Sequence, residues 1–227
     1  MSPLAKAVFW CVGTLVTYLA ARRLHGKFQQ WWSSPMLITW LVCGASIIAL
    51  RASYHDYLQG THWLVWLLGP ATVAFAIPIH RQRETIRQHW PLIGIGVIAG
   101  SLLAITSSWG LASAFNLSPE LRASLLPRSI TTPLAMDVSS RLGGIPELTA
   151  VFTALTGLFG AAVGEIVLSH LPVQSVFARG ALFGMGAHGA GVAKATELGT
   201  EEGVIASLIM IFSGLFTVII AALVSII

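Results

Sequence analysis

Residues 204–227 read VIASLIMIFSGLFTVIIAALVSII and contain no charged side chain. An α-helix crosses the ~30 Å hydrocarbon core of a bilayer with about 20 apolar residues, and this stretch meets that requirement. Three other stretches without a formal charge, 28–50, 91–119 and 148–164, are similarly apolar. Residues 3–21 form a fifth apolar stretch, in which Lys6 is the only charged residue. The sequence therefore predicts an all-α, polytopic membrane protein.

The overall composition supports this class. Hydrophobic residues make up 55% of the chain and charged residues 10%, with a mean hydropathy of +0.78. Soluble domains contain about 25% charged residues, so a soluble fold would lack polar surface here. The basic residues lie between apolar stretches, so no nucleic-acid partner is expected. Arg22 and Arg23 follow the first apolar stretch directly, so we expect a retained helix. The Ser-rich, Arg-rich and acid-poor prefix of an organelle precursor is missing, so we expect a bacterial inner membrane.

Three further hydrophobic segments, 62–79, 125–144 and 180–193, are interrupted by glycine or proline. These residues weaken or break the helical hydrogen-bond ladder. Irregular backbone at membrane depth is tolerated only where it is buried in protein or lines a watery cavity. We therefore expect functional residues in these segments, within a bundle of seven or eight crossings that includes discontinuous helices.

The order of the segments indicates an internal repeat. A long span, a broken span and another long span occur at 28–50, 62–79 and 91–114, and again at 148–170, 180–193 and 204–227. Transporters often place their binding site between paired broken helices. Shared apolar composition is the alternative explanation. We predict one membrane domain, 1–227, with halves at 1–117 and 118–227.

The first interrupted segment contains Gly69, Pro70, Ala71 and Thr72. Proline suits the first turn of a helix because its missing N–H is not needed there. A half-helix that restarts at Pro70 would direct free N–H groups and partial positive charge toward an anion. The alternative is a simple kink.

The second interrupted segment places polar side chains around two prolines: Pro127, Arg128, Ser129, Thr131, Thr132 and Pro133. The hydroxyls precede a proline restart, and an arginine can bind a carboxylate through two parallel hydrogen bonds. Asp137 is a candidate for proton coupling, and its spacing to Arg141 also suits a helical ion pair. The alternative makes Arg128 and Arg141 anchors at opposite membrane interfaces.

The third interrupted segment contains His188 among glycines that include Gly189 and Gly191. A histidine in an apolar segment needs a partner, and it can bind a carboxylate or exchange a proton near neutral pH. We predict these three residues in the binding site, with His188 also coupling protons. The alternative is a satisfied core histidine beside glycines that allow close helix packing.

Two further carboxylates are candidates for proton coupling. Glu165 follows the charge-free stretch 148–164, and Glu197 lies three residues after Lys194. The alternative places Glu165 at the membrane interface and pairs Glu197 with Lys194.

No catalytic constellation is found in the sequence. The histidines lack zinc-ligand spacing, no serine lies in a nucleophile elbow, and the carboxylates are too dispersed for an acid–base pair. We expect no enzymatic activity, no cofactor and no bound metal.

The interrupted segments resemble the signature regions of the LrgB/CidB family of bacterial membrane proteins. The matching stretches are residues 69–78 (GPATVAFAIP), 126–135 (LPRSITTPLA), 143–146 (GGIP), 178–180, 187–197 and 203–207. Family members commonly have lysine at the position of Arg128. The charge is therefore kept, but a lysine-specific role is not.

The resemblance implies two descriptions of function. One is a partner of a small holin-like protein, LrgA/CidA, that modulates autolysis. The other is a carrier of small carboxylates: plastid relatives, in which LrgA-like and LrgB-like parts are fused, move glycolate and glycerate, and pyruvate uptake is attributed to bacterial pairs.

We predict a transporter of small monocarboxylates such as pyruvate, glycolate or glycerate, working by proton-coupled alternating access, because broken helices suit a site at mid-membrane. The alternatives are a holin-like pore and a regulatory subunit that modulates autolysis. The expected partners are the carboxylate, the lipid bilayer, a second copy in a homodimer and an LrgA/CidA-like membrane protein.

Overall fold

The computed structural model describes residues 3–28, 33–67, 70, 73–74 and 76–224. The chain forms two compact units, Met1–Ala71 and Thr72–Ile227. The regular secondary structure of the described residues is entirely helical, which confirms the predicted all-α class. The predicted halves, 1–117 and 118–227, are a different division and stay a prediction.

Unit 1 contains α1 (Pro3–Phe28), α2 (Pro35–Ala49) and α3 (Tyr54–Trp66). The helices of unit 2 are α4 (Ala76–Arg81), α5 (Arg83–Ala114), α6 (Pro119–Leu125), α7 (Thr132–Arg141), α8 (Pro146–His170), α9 (Val176–Leu198) and α10 (Thr200–Val224).

Four of the described helices are long and apolar enough to cross a membrane: Leu4–Phe28, Arg83–Ala114, Pro146–His170 and Thr200–Leu223. Their outer faces expose large apolar side chains, including Ile95 and Leu103, which suit contact with lipid. The chain is therefore a membrane protein with several spans. Neither the predicted count of seven or eight crossings nor the predicted repeat is confirmed.

In unit 1, α1 packs against α3 near the start of both helices. Lys6 Nζ forms an ion pair with Asp56 Oδ1 at 3.3 Å, and Gly60 lies against the carbonyl of Ala7. The backbone N–H and the hydroxyl of Ser53 also donate to Asp56 Oδ2, at 3.3 and 3.1 Å. These two Ser53 bonds, followed by the Lys6 ammonium, lower the pKa of the Asp56 carboxyl.

A pH dependence follows from this lowered pKa. Because the folded carboxyl is more acidic than the unfolded one, its contribution to stability is present above the unfolded pKa of about 4 and is lost as pH falls through the folded pKa. We expect Asp56→Asn to lower the thermal midpoint at pH 7, and the difference from the unchanged protein to shrink below pH 4. Equal midpoints for the two proteins at pH 7 would contradict this expectation.

Unit 2 is organised around α10, which packs in parallel with α5. Ile93 and Val97 of α5 are buried against Ile205 and Ile209 of α10. Helix α5 is kinked at His89, two residues before Pro91, because proline cannot donate to the helical ladder. Its remaining length still forms one long apolar span.

Helix α9 is a hairpin and not a straight helix. His188 has φ +38° and ψ −123°, which lie outside the helical region. In a straight helix, Phe183 and Gly191 would lie about 12 Å apart. Instead, a Cβ on Gly191 would overlap the carbonyl oxygen of Phe183. The arms 176–187 and 189–198 therefore run antiparallel, and we call them hairpin 2.

Contacts with the neighbouring helix α8 also show that α9 reverses its direction. Gly164 lies against the Phe183 ring and Gly157 against the His188 ring, so the first arm runs antiparallel to α8. The second arm then returns, because Lys194 Nζ lies 3.2 Å from Glu165 Oε1. Hairpin 2 thus enters unit 2 and leaves it on the same side.

A second hairpin, hairpin 1, consists of α6, the connection 126–131 and α7. Both of its arms lie beside Thr149, whose Oγ1 is 3.0 Å from the Ser124 carbonyl and 2.6 Å from Ser139 Oγ. Arg128 in the connection instead reaches Thr156, about 10 Å farther along α8. The connection is therefore the tip of the hairpin.

The two hairpins enter from opposite ends of α8, a helix of 25 residues and about 37 Å. The base of hairpin 1 lies near its beginning, and the base of hairpin 2 near its end. Helix α10 joins both, since Ala206 packs with Phe183 and Ala221 packs with Ile130. The segments 125–144 and 180–193 are thus broken, as predicted, but they turn back instead of crossing.

Candidate functional site

The tips of both hairpins meet on the middle of α8. From hairpin 1, Arg128 donates through Nε to Ser108 Oγ at 3.0 Å and through Nη1 to Thr156 Oγ1 at 3.2 Å. From hairpin 2, His188 Nε2 lies 2.8 Å from the Thr153 carbonyl oxygen. Two of the predicted binding residues are therefore brought within one turn of each other along α8.

The charge of Arg128 has no carboxylate partner in the described part of the chain, where the ion pairs involve other cations. A guanidinium has five N–H donors, and the two hydrogen bonds of Arg128 described above go to neutral hydroxyls. An uncompensated cation inside a membrane protein is costly and marks functional sites. The arrangement holds Arg128 in place and leaves its charge available to an anion.

His188 is held at the tip of hairpin 2 in a backbone conformation that L-residues rarely adopt. Because a carbonyl oxygen only accepts, the Nε2 atom bonded to Thr153 carries a hydrogen. The ring is buried against Gly157, where a side chain would overlap it. His188 therefore has the partner that the sequence required, and a strained tip of this kind is typical of functional sites.

Thr131 ends the tip of hairpin 1 as the N-cap of α7. Its side chain is 7% exposed, and its Oγ1 makes no hydrogen bond to any described residue, including the N–H groups that it could cap. Thr132 and Pro133 follow in the first turn, so the predicted proline restart is confirmed. An unpaired hydroxyl beside free helical N–H groups is suited to receive an anion.

Replacing Thr131 with valine separates a structural role from a binding role. Because the buried hydroxyl is unpaired, Thr131→Val should keep or raise the thermal midpoint. If the hydroxyl binds substrate, the same change should reduce uptake about tenfold or more, the value of one hydrogen bond to a charged group. A lowered midpoint together with normal uptake would contradict the binding role.

A cleft of about 470 Å³ opens beside Arg128. One face of α8 forms most of its wall, with hairpin 1 on one side and Gly186 of hairpin 2 on the other. The lining residues are Leu125, Arg128, Phe152, Leu155, Thr156, Phe159, Gly160, Val163 and Gly186. A side chain at Gly186 would meet no atom within 4 Å, so this glycine borders open space.

The other predicted residues lie elsewhere or outside the description. Gly69, Ala71 and Thr72 lie outside the described residues, and Pro70 belongs to unit 1. Ser129 is half-buried in the tip of hairpin 1. Gly189 borders open space next to His188, whereas the contact of Gly191 with Phe183 explains that glycine by packing alone.

The three carboxylates predicted for proton coupling are ion-paired away from the tips. Asp137 Oδ2 lies 2.9 Å from Arg141 Nε on an exposed face of α7, which confirms the predicted helical pair. Lys194 joins Glu165, at 3.2 Å, to Glu197, at 3.1 Å, at the base of hairpin 2. The predicted pairing of Glu197 with Lys194 is thereby confirmed.

Sequence reasoning missed the residues of α8 and α5 that hold the tips. These are Ser108, Thr153 and Thr156, with Phe152 and Phe159 beside them in the cleft. Thr149, Thr153 and Thr156 recur at helical spacing within an apolar span, and this polar stripe was a readable signal.

Comparison with known proteins identifies the family of the chain. The model of the LrgB-like family matches residues 14–227. The chain belongs to the LrgB-like family. This confirms the resemblance carried by the interrupted segments, which include both hairpin tips.

Relatives of this LrgB-like chain cover nearly its whole length. It is 39% identical over 204 residues to the uncharacterized protein YwbG of Bacillus subtilis, covering 90% of this chain and 91% of YwbG. It is 31% identical over 217 residues to the holin-like protein CidB of Staphylococcus aureus, covering 96% and 95%. No solved structure matches the chain.

Proposed function

We propose that this LrgB-like protein carries small monocarboxylates, such as pyruvate, glycolate or glycerate, across a bacterial inner membrane. The observation that supports this most is Arg128, an unpaired cation held at a hairpin tip beside a cleft. A guanidinium in such surroundings favours an anion, and it binds a carboxylate through two parallel hydrogen bonds.

The opposed hairpins support alternating access. Hairpin 1 and hairpin 2 have their bases at opposite ends of α8, and their tips lie together near its middle. Opening one hairpin would expose the tips to one side of the membrane, and opening the other would expose them to the opposite side. The carboxylate would then be released on the side whose hairpin is open.

Ion pairs hold the base of hairpin 2 in the present conformation. Arg179 Nη2 lies 2.5 Å from Glu202 Oε1 on α10, and Lys194 links the second arm to Glu165 on α8. Glu202 is nearly buried. If hairpin 2 opens, these ion pairs must either break or move together with it. They would therefore keep hairpin 2 closed when no substrate is bound.

Proton coupling is assigned to His188 in this proposal. It lies at the tip of hairpin 2, one turn of α8 from the residue that holds Arg128. Protonation at Nδ1 would keep the Nε2–H bond to the Thr153 carbonyl and add a positive charge at the tip of hairpin 2, near the carboxylate but not among the residues that line the cleft. Proton and carboxylate would therefore bind together.

Uptake into proteoliposomes tests the proposal. Liposomes containing the purified chain alone should take up labelled pyruvate, glycolate or glycerate saturably, and an inward proton gradient should accelerate uptake. Thr132→Ala should reduce uptake in both conditions, and His188→Ala should remove the response to the gradient. Leak of sucrose at the same rate, or no uptake of any acid, would contradict a carrier.

A holin-associated role is the second candidate, and the name of the CidB relative favours it more directly than it favours a carrier. In that role the chain would modulate autolysis with a small LrgA/CidA-like membrane partner. Uptake that begins only when such a partner is added, or a non-selective leak, would support this candidate. A homodimer in the membrane is proposed for either role.

A further inference from the structure

We propose that the cleft beside Arg128 selects monocarboxylates with a short apolar chain, such as branched 2-oxo acids, over hydroxy acids and dicarboxylates. The inference rests on the proposed carrier function and names the substrate class of the same site. It follows from what the wall of the cleft offers to each part of a small acid.

The wall offers one positive charge. Arg128 is the charged residue among those that line the cleft, and the polar side chain beside it is Thr156. The wall can therefore neutralise one carboxylate, whereas a second carboxylate in the cleft would meet apolar side chains, because the buried His188 is not among the lining residues. The cleft accordingly favours a monoanion over a dicarboxylate.

The remainder of the wall is apolar. Leu125 of hairpin 1 and a stripe along one face of α8 line the cleft: Phe152, Leu155, Phe159 and Val163. The hydroxyl of Thr156 already accepts from Arg128. The hydroxyl groups of an acid such as glycerate would therefore lose water without gaining equal partners.

The size of the cleft agrees with a longer chain. It is an open cleft of about 470 Å³, which exceeds what a two-carbon acid fills. Each additional CH₂ group that is buried strengthens binding about fourfold. A branched five- or six-carbon acid that fills the apolar end should bind at least about tenfold more tightly than pyruvate.

The test compares half-saturation concentrations for uptake into proteoliposomes that contain the chain. The labelled acids are pyruvate, 4-methyl-2-oxopentanoate and glycerate, with unlabelled malonate and decanoate as competitors. We expect 4-methyl-2-oxopentanoate to have a half-saturation concentration at least about tenfold below that of glycerate. Malonate should compete weakly, because its second carboxylate finds no cation.

Variants of the wall link this preference to the cleft. Phe159→Ser should raise the half-saturation concentration for 4-methyl-2-oxopentanoate about tenfold more than it raises that for glycerate. Phe159→Leu should restore most of the preference. Val151→Ser is the matched control, because Val151 is an exposed apolar residue of the same helix that does not line the cleft.

The outcomes separate this inference from the proposed function. Uptake of glycerate as good as or better than that of the branched acid would overturn the inference and keep the carrier. Strong competition by decanoate alone would assign the cleft to a lipid chain and also overturn the inference. Absence of uptake for all three acids would remove the proposed function itself.

Discussion

Gly191→Ala is expected to destabilise hairpin 2 more than any other single methyl group added to the tip region. The added Cβ would overlap the carbonyl oxygen of Phe183 and lie 2.9 Å from the Cβ of Ala187. Backbone atoms cannot rotate away as a flexible side chain can, so the two arms must separate. Overpacking of this kind costs about 1–3 kcal/mol or more.

Gly160→Ala should also be destabilising, because its Cβ would overlap the carbonyl of Gly186 and separate α8 from the first arm of hairpin 2. The measurement is the thermal midpoint of the purified protein in detergent. Gly189→Ala is the matched control, because a Cβ there meets no atom within 4 Å and alanine favours a helix. Equal midpoints for Gly191→Ala and Gly189→Ala would show that the arms do not pack as described.

Arg128→Met is expected to abolish carboxylate uptake while leaving the fold intact. Removing a charged partner of a desolvated anion costs about 2–5 kcal/mol, or roughly thirtyfold to several thousandfold in apparent affinity. The charge has no carboxylate partner in the described residues, so its removal should keep or raise the thermal midpoint. Arg128→Lys keeps the charge but loses the paired hydrogen bonds, so it should be intermediate.

Arg141→Met is the control for this variant. Arg141 forms an exposed ion pair with Asp137 on the outer face of α7, and such pairs contribute little. Uptake by Arg141→Met should stay within about twofold of uptake by the unchanged protein, a difference that corresponds to under about 0.5 kcal/mol. Normal uptake by Arg128→Met would remove Arg128 from the site, and loss of uptake in both variants would point to a general effect of basic charge.

The sequence predicted where the helices break, because proline and glycine act locally on the backbone. The proline restart at Pro133 and the interruption at His188 are both observed. It did not predict that the broken segments turn back. That reversal depends on contacts between residues far apart in the chain, such as Lys194 with Glu165 and Arg128 with Thr156.

The candidate site was predicted in part for the same reason. Arg128, Thr131 and His188 were readable because a polar group in an apolar segment needs an explanation. Phe152 and Phe159 were not, because a phenylalanine that lines a cleft has the same pattern as one that faces lipid. Only the position of Arg128 beside α8 distinguishes the two.

The most direct test of this account is the side from which the two hairpins can be labelled. In a protein with Cys11 and Cys43 replaced by serine, single cysteines at Ala178 and Leu198 mark the ends of hairpin 2, and at Glu120 and Ser140 those of hairpin 1. All four positions are exposed. A membrane-impermeant maleimide should label 178 and 198 from one side of the membrane, and 120 and 140 from the other. Labelling of 178 and 198 from opposite sides would mean that α9 crosses the membrane, and the opposed hairpins, with the site between their tips, would have to be abandoned.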